Sequence, residues 1–289
     1  MQPVGNTPLI ALDQLIGNEG SQLLAKLETF NPSGSGKDRV ASHMLHLAEK
    51  RGQISPGDTI IAATTGNMGI ALALAASVKD YRVMLVVPSE IPEEMRSMMT
   101  ALGADLISVS ETSGMEAARS LSYELEEQGV GKLLDQFSSP DNPDAHYQTT
   151  GPEIWKDTSG DLTHLVCGMG STGTIIGTGR YLKEKNPDLK IIGVRPVMGT
   201  KIFGMINWQT GFEPSIHSTG LIDEIVEITP DLAAETAMQI LCNEGIFAGI
   251  PSGGSVAAAI RLARRKKGMK IVTIICDRGD RYLSTGMFH

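Results

Sequence analysis

One pattern recurs from residue 59 to residue 134: a short continuous apolar run, a turn, a longer stretch with one apolar face, and another short apolar run. Residues 59–63 read as a strand, 67–79 as a helix, 82–87 as a strand closed by Pro88, 92–103 as a helix, 105–109 as a strand, 114–128 as a helix and 132–134 as a short strand. Strands that are apolar throughout are covered on both faces, and strands joined through helices run parallel. The alternation resumes with a strand at 162–167, a helix at 174–184 and a strand at 190–195, then helices at 230–243 (capped by Thr229) and 255–265, and a buried strand at 270–276. The predicted class is α/β, doubly wound, with helices on both faces of the sheets.

At 289 residues the chain exceeds the length of a usual single core, so two lobes are expected. The turn-rich run Ser138-Ser-Pro-Asp-Asn-Pro-Asp144 is the candidate hinge or crossing between them. A net charge of −8 argues against nucleic acid or an anionic membrane as the main partner. The basic run Arg264-Arg265-Lys266-Lys267 closes an expected helix, where cations suit the helix dipole. Three cysteines, Cys167, Cys242 and Cys276, stand singly, and the six histidines lack ligand spacing. Reduced thiols in a cytoplasm, with no metal, are the expectation. No signal peptide is read at the start, and the most apolar stretch, 70–76, is too short to span a membrane.

Chemistry concentrates where loops open helices. Asn31-Pro-Ser-Gly-Ser-Gly-Lys37-Asp-Arg39 places a lone lysine at the positive end of a helix, which disfavours its ammonium form. A neutral lysine amine is a nucleophile able to form a Schiff base. The run is not a phosphate-binding P-loop, because Asn31 stands where the first glycine belongs and Asp38 follows the lysine. A solvated lysine on a Gly-Ser loop is the competing reading.

Thr64-Thr65-Gly66-Asn67-Met68-Gly69 lies between strand and helix, where hydroxyls and exposed helix N–H groups can grip a carboxylate; a plain helix cap is the alternative. Gly168-Met-Gly170-Ser171-Thr172-Gly173-Thr174 has the make-up of a phosphate cup. Its glycines also fit G-x-G-x-x-G, but the site falls late in the chain and Arg195 replaces the acidic residue a dinucleotide needs. Gly249-Ile-Pro-Ser252-Gly-Gly254 reads as a loop opening the helix at 255, with Ser252 as a candidate cap. A ligand with a phosphate, an electrophilic carbon and a carboxylate-bearing partner satisfies all of these loops, and pyridoxal phosphate with an amino-acid substrate is such a ligand.

The ordered motifs Gly5-Asn-Thr-Pro8, Gly66-Asn67 with Gly69, Leu134-Asp-Gln-Phe137, Thr149-Thr-Gly-Pro-Glu-Ile-Trp155, Gly170 to Thr174, and Ile275-Cys-Asp-Arg-Gly-Asp-Arg-Tyr-Leu-Ser-Thr285 cover nearly the whole chain. Together they resemble the fold-type II pyridoxal-phosphate enzymes (tryptophan synthase β-like), and among them the cysteine synthases (O-acetylserine sulfhydrylases) of the B type. The resemblance implies a two-lobed homodimer, with residues 1–37 plus 141–289 as a larger cofactor-binding domain and 38–140 as a smaller, mobile, substrate-clamping domain. It implies Lys37 as the Schiff-base and proton-moving lysine, Asn67 on the cofactor's phenolic oxygen, and Gly170, Ser171, Thr172, Gly173 and Thr174 as the phosphate cup. Ser252 is assigned to the cofactor, and Thr64, Thr65, Gly66, Met68 and Gln136 to the substrate carboxylate. The implied reaction is β-replacement, O-acetyl-L-serine and sulfide or a related sulfur donor giving L-cysteine and acetate.

Departures from that pattern are specific. Pro251 stands where a serine usually meets the pyridine nitrogen, Met68 where a threonine usually offers a hydroxyl, Thr65 where a serine is usual, and Gly36 where a valine is usual. Ile206-Asn207 precedes Trp208 where basic residues usually face the entrance, which bears on a large anionic donor such as thiosulfate. Three other functions are weighed: a sister reaction such as O-phosphoserine sulfhydrylation, cystathionine formation or serine dehydration; a catalytically weakened binding homologue; and a nicotinamide dehydrogenase. The last leaves Lys37 and the Thr64 loop without a role.

Overall fold

The computed structural model describes residues 3–17, 20–110, 114–207, 213–217, 219–286 and 288. Its strands divide between two sheets. The first takes β1 (Leu9–Ala11), β2 (Gln22–Leu27), β7 (His164–Gly168), β8 (Lys190–Pro196), β9 (Glu224–Ile228) and β10 (Lys270–Ile275), in the order β1-β2-β10-β7-β8-β9. Only β1 with β2 is antiparallel; the remaining pairs are parallel. The second sheet is parallel throughout, in the order β5-β4-β3-β6, from β3 (Thr59–Ala63), β4 (Arg82–Pro88), β5 (Asp105–Val109) and β6 (Lys132–Leu133). The α/β class with helix-covered parallel sheets is as the apolar runs predict. Two sheets from one chain give two lobes, and because β2 pairs with β10, the first lobe is built from both ends of the chain.

Between the strands lie α1 (Asp13–Ile16), α2 (Lys37–Lys50), α3 (Asn67–Ser77), α4 (Glu93–Ala101), α5 (Gly114–Glu127), α6 (Asp141–Gln148), α7 (Thr150–Asp157), α8 (Gly173–Lys185), α9 (Pro230–Glu244) and α10 (Ile250–Arg265). The buried faces of α2 (Val40, Ala41, Met44, Leu45) and α3 (Ile70, Leu72, Ala73) join one apolar cluster with buried residues of α10 and both sheets. Thr229 caps α9 as expected, its side chain accepting from Leu232 N at 3.3 Å, with Pro230 at the first turn.

Three readings are corrected. The run 138–144 is not simply a turn: α6 begins at Asp141, with Pro140 at its N-cap and Pro143 within its first turn, where a missing N–H costs nothing. The run 249–254 is not a loop opening a helix at 255. Gly249 is the N-cap, Pro251 sits in the first turn with its fixed φ suited to that place, and Ser252 is buried inside α10 and makes no cap. Neither does the Thr64 loop cap α3 through a side chain, since Gly66 holds the N-cap position.

Contacts at the rim of the groove help tie the lobes together. Past β10 the chain crosses to α4, where Ser284 N and Oγ donate to the Glu94 carboxylate at 2.6 and 2.7 Å. Across the other lip, Lys201 Nζ meets Glu90 Oε2 at 2.7 Å.

Candidate active site

The carboxyl ends of β3, β7 and β10 open onto one cavity between the two sheets, with an empty volume of about 990 Å³ that is partly continuous with solvent. In open parallel sheets such strand ends are where ligands bind. The loops predicted to act together converge here.

Lys37 is the first residue of α2 and lines the cavity. Burial pushes its amine below the ordinary lysine range, against an opposing pull from the Asp277 carboxylate. Its loop is rigid for local reasons. Asp38 is fully buried and accepts from Ser33 N at 2.6 Å and from the Ser33 hydroxyl. Asn31 accepts from Gly5 N at 2.9 Å and donates to Glu28 O and Oε2 at 3.0 and 2.8 Å. Gly34 has φ +85, and the Arg278 and Arg281 side chains occupy the space a Cβ would need. A solvated lysine on a loose loop is therefore not what forms.

Gly170, Ser171, Thr172 and Thr174 line the same cavity at the N-terminus of α8. Thr172 takes the left-handed conformation, φ 68, uncommon for a β-branched residue, and its buried Oγ1 has no protein partner. Ser171 Oγ accepts from Asn142 Nδ2 at 3.0 Å, which leaves the serine's own hydrogen free to donate. Thr174 Oγ1 lies 3.1 Å from His146 Nε2, and His146 Nδ1 lies 2.9 Å from Thr150 Oγ1. Burial, with Lys37 next, pushes His146 well below its ordinary value, so the ring is neutral. Gly173 does not line the cavity; a Cβ there would overlap the Asn142 amide, so the glycine lets α8 approach α6.

The second lobe contributes Thr64, Thr65, Gly66, Asn67, Met68 and Gln136, all on the cavity surface. Thr64 Oγ1 accepts from Gly66 N at 3.1 Å, and Gln136 Nε2 reaches Ala63 O at 3.4 Å. Met68 is 2% exposed, so a thioether occupies the place where a hydroxyl was expected. A Cβ at Gly36 would press on the Glu28 side chain, with Oε2 at 3.3 Å, so a larger residue there would need Glu28 to shift slightly.

Ser252 is not among the residues lining the cavity. Its hydroxyl is fully buried behind the wall, accepting from Cys276 N at 3.0 Å, and Pro251 lines the cavity in its place. Sequence reasoning gave no role to Asp277, Cys276, Tyr282 or Cys167, which all line the cavity. For Cys276 and Asp277 the signal was the polar run directly after an apolar strand, Cys276-Asp-Arg-Gly-Asp, at a strand's carboxyl end. Burial, with Asp277 next, pushes the Cys276 thiol well above its ordinary value, and burial pushes Cys167 up to about 12; both stay protonated. Ile206 also lines the cavity, while Trp208 lies outside the described residues. Among the described residues no His/Cys/Asp/Glu group could hold a metal ion, and no helix is long and apolar enough to cross a membrane.

Comparison with known proteins agrees with this geometry. A family model described as "Pyridoxal-phosphate dependent enzyme" matches residues 1–277. The chain belongs to that family. Cysteine synthase B of Salmonella typhimurium is 51% identical over 287 residues, covering 99% of this chain and 95% of the relative. Cysteine synthase B of Escherichia coli is 50% identical over 287 residues with the same coverage. Among solved structures, an O-ureido-L-serine synthase superposes with a TM-score of 0.94 at 33% identity, covering 99% of this chain and 93% of that one. Cysteine synthase from Entamoeba histolytica gives 0.89 at 37% identity, covering 99% and 89%.

The cavity suits the family's cofactor on its own chemistry. An unpartnered buried hydroxyl on Thr172, a free donor on Ser171 and the N-terminus of α8 form a donor set that matches a phosphate. On the same cavity, the desolvated Lys37 amine suits an aldehyde carbon. A pyridoxal-phosphate-dependent enzyme needs both ends, and this chain presents them on one surface.

Proposed function

We propose that this pyridoxal-phosphate-dependent enzyme is a cysteine synthase of the B type, making L-cysteine and acetate from O-acetyl-L-serine and sulfide or a related sulfur donor. The observation that carries the reading is the meeting of Lys37, the Gly170 to Thr174 cup and the Thr64 to Met68 loop around one cavity, in a chain about half identical to two cysteine synthases B. When bound, the cofactor supplies an electron sink for charge developing at the substrate's α-carbon. The remaining chemistry falls to side chains. Ser171, Thr172, Thr174 and backbone N–H groups at the start of α8 would hold the phosphate, with Gly173 serving the cup by letting α8 approach α6. Asn67 donates to the cofactor's phenolic oxygen. Thr64, Thr65, Gly66 and Gln136 hold the substrate carboxylate, with Met68 as an apolar wall beside them. The Lys37 amine takes the α-proton as acetate leaves the β-carbon, and returns it to the α-carbon once sulfide has bonded to that β-carbon.

Residues 38–140 would then clamp substrate against a cofactor domain formed by 1–37 and 141–289. Sheet membership supports that division, because β3 to β6 pair only among themselves. A cytoplasmic homodimer is the proposed setting. Three free cysteines and a net charge of −8 support a reducing, aqueous compartment. Supplying O-acetylserine, O-phosphoserine and serine separately, each with sulfide, and quantifying cysteine tests the reading. Cysteine from O-acetylserine well above the others supports it; none from any of the three contradicts it.

A second reading, a weakened homologue that binds but turns over poorly, has its own support. Pro251 and Met68 both line the cavity without donors where the resemblance implies hydroxyls. Cofactor retention with no product from the same three substrates would favour it.

A further inference from the structure

The Asn67 amide sits between two groups of one-way hydrogen-bonding chemistry. Its Oδ1 accepts from Arg281 Nε at 3.3 Å, and its Nδ2 donates to Asp277 Oδ2 at 2.7 Å. A guanidinium has no acceptor, so Arg281 selects the carbonyl end of the amide. The Asp277 carboxylate already accepts from the Tyr282 hydroxyl and faces Ser252 Oγ at 3.4 Å, so it selects the amino end. The two constraints agree. The second Nδ2 hydrogen is left for an acceptor on the cavity side, since Asn67 lines the cavity.

The supports are themselves fixed. Arg281 is 1% exposed, and Asp277 and Tyr282 are fully buried. The other arms of Arg281 reach Ser33 O, in the lysine loop, and Met98 Sδ at 3.0 Å, on α4. The arginine thus touches the loop before Lys37, the first turn of α3 and the second lobe's α4. The Ser33 contact also braces the lysine loop, beside the hydrogen bonds of Asp38 and Asn31 that close it.

We infer that Arg281 and Asp277 are positioning residues that lock the Asn67 amide in the one orientation presenting an N–H to the bound cofactor. The inference rests on the proposed role of Asn67 toward the cofactor's phenolic oxygen. Flipping the amide would set a carbonyl against an oxygen anion. It would also leave Arg281 without its acceptor and face two oxygens at Asp277.

Purified holoenzyme variants Asn67→Ala, Arg281→Met, Arg281→Lys and Asp277→Asn test this, read by the visible absorption maximum of the bound cofactor and its pH dependence, with circular dichroism for folding. Asn67→Ala should shift the band. Arg281→Met should shift it in the same direction and weaken cofactor affinity about fivefold to tenfold, the scale of one hydrogen bond. Arg281→Lys should restore most of the wild-type spectrum. A folded Arg281→Met protein with the wild-type band and pH profile overturns the inference. Should Arg281→Met not fold, Asp277→Asn decides: a shift like that of Asn67→Ala supports the lock, and an unchanged band overturns it. An unchanged band in Asn67→Ala refutes the role of Asn67 itself, and with it the inference, whatever the other variants show.

Discussion

Arg39 and Glu28 meet as a buried two-pronged pair, Nε to Oε2 at 2.7 Å and Nη2 to Oε1 at 2.8 Å, with each side chain 1% exposed. Arg39 also reaches Glu153 at 2.6 and 2.8 Å, and Glu153 in turn meets Lys26 at 2.9 Å. The network joins the first turn of α2, which carries Lys37, to β2 and α7. Geometry of this kind makes a buried charge tolerable, and breaking it leaves unpaired carboxylates behind.

Arg39→Met should therefore destabilise the protein by about 3–5 kcal/mol. Denaturant unfolding of cofactor-free protein measures it. A loss under about 1 kcal/mol would show that Glu28 and Glu153 find other partners.

The same network has a pH signature. Burial pushes Glu153 up, but the hydrogen bond and charge of Arg39 outweigh it and hold the carboxyl at about 2, below the ordinary 4.5. A depressed carboxylate contributes stability above its unfolded value and loses it as pH falls through the folded one. Stability should fall between pH 4.5 and about 2. Glu153→Gln should flatten that part of the profile, which denaturation midpoints across the range would reveal.

Met68→Thr returns a hydroxyl to the cavity wall. KM for the amino-acid substrate should fall about fivefold to tenfold, with a smaller change in kcat, because the hydroxyl adds about 1 kcal/mol of binding at the carboxylate. Lost packing should cost about 2 kcal/mol of stability, since Met68 is buried. Steady-state kinetics beside a melting curve separates the two effects.

Thr172→Ala isolates the phosphate cup. The hydroxyl has no partner within the protein, so cofactor-free stability should stay within about 0.5 kcal/mol of wild type. Cofactor affinity should fall about tenfold, the scale of a hydrogen bond to a charged group. A large stability loss with unchanged affinity would assign the hydroxyl to the fold instead.

Much of this was legible in the sequence because local chemistry and tertiary outcome agree. Continuous apolar runs became parallel strands, and Thr229-Pro230 became a capped helix start, since burial and capping are decided within a few residues. The 138–144 and 249–254 runs misled for one reason. Proline and glycine mark both a turn and a helix's first turn, and only the packing of α6 and α10 decides between them. Lys37, Asn67 and the Gly170 loop were readable because each pairs a reactive or donor group with a helix N-terminus. Asp277 and Arg281 were not, because their role appears only when the segment after β10 meets α3 of the other lobe. The burial of Ser252 behind Pro251 was not legible either, because it depends on where α10 begins.

Lys37 is the residue proposed to hold the cofactor. Borohydride reduction of the holoenzyme, followed by proteolysis and mass spectrometry, tests this most directly. The reduced cofactor should be found on Lys37 alone, and Lys37→Ala should carry no label. Label on another lysine, or none on folded, cofactor-bearing protein, would contradict the account.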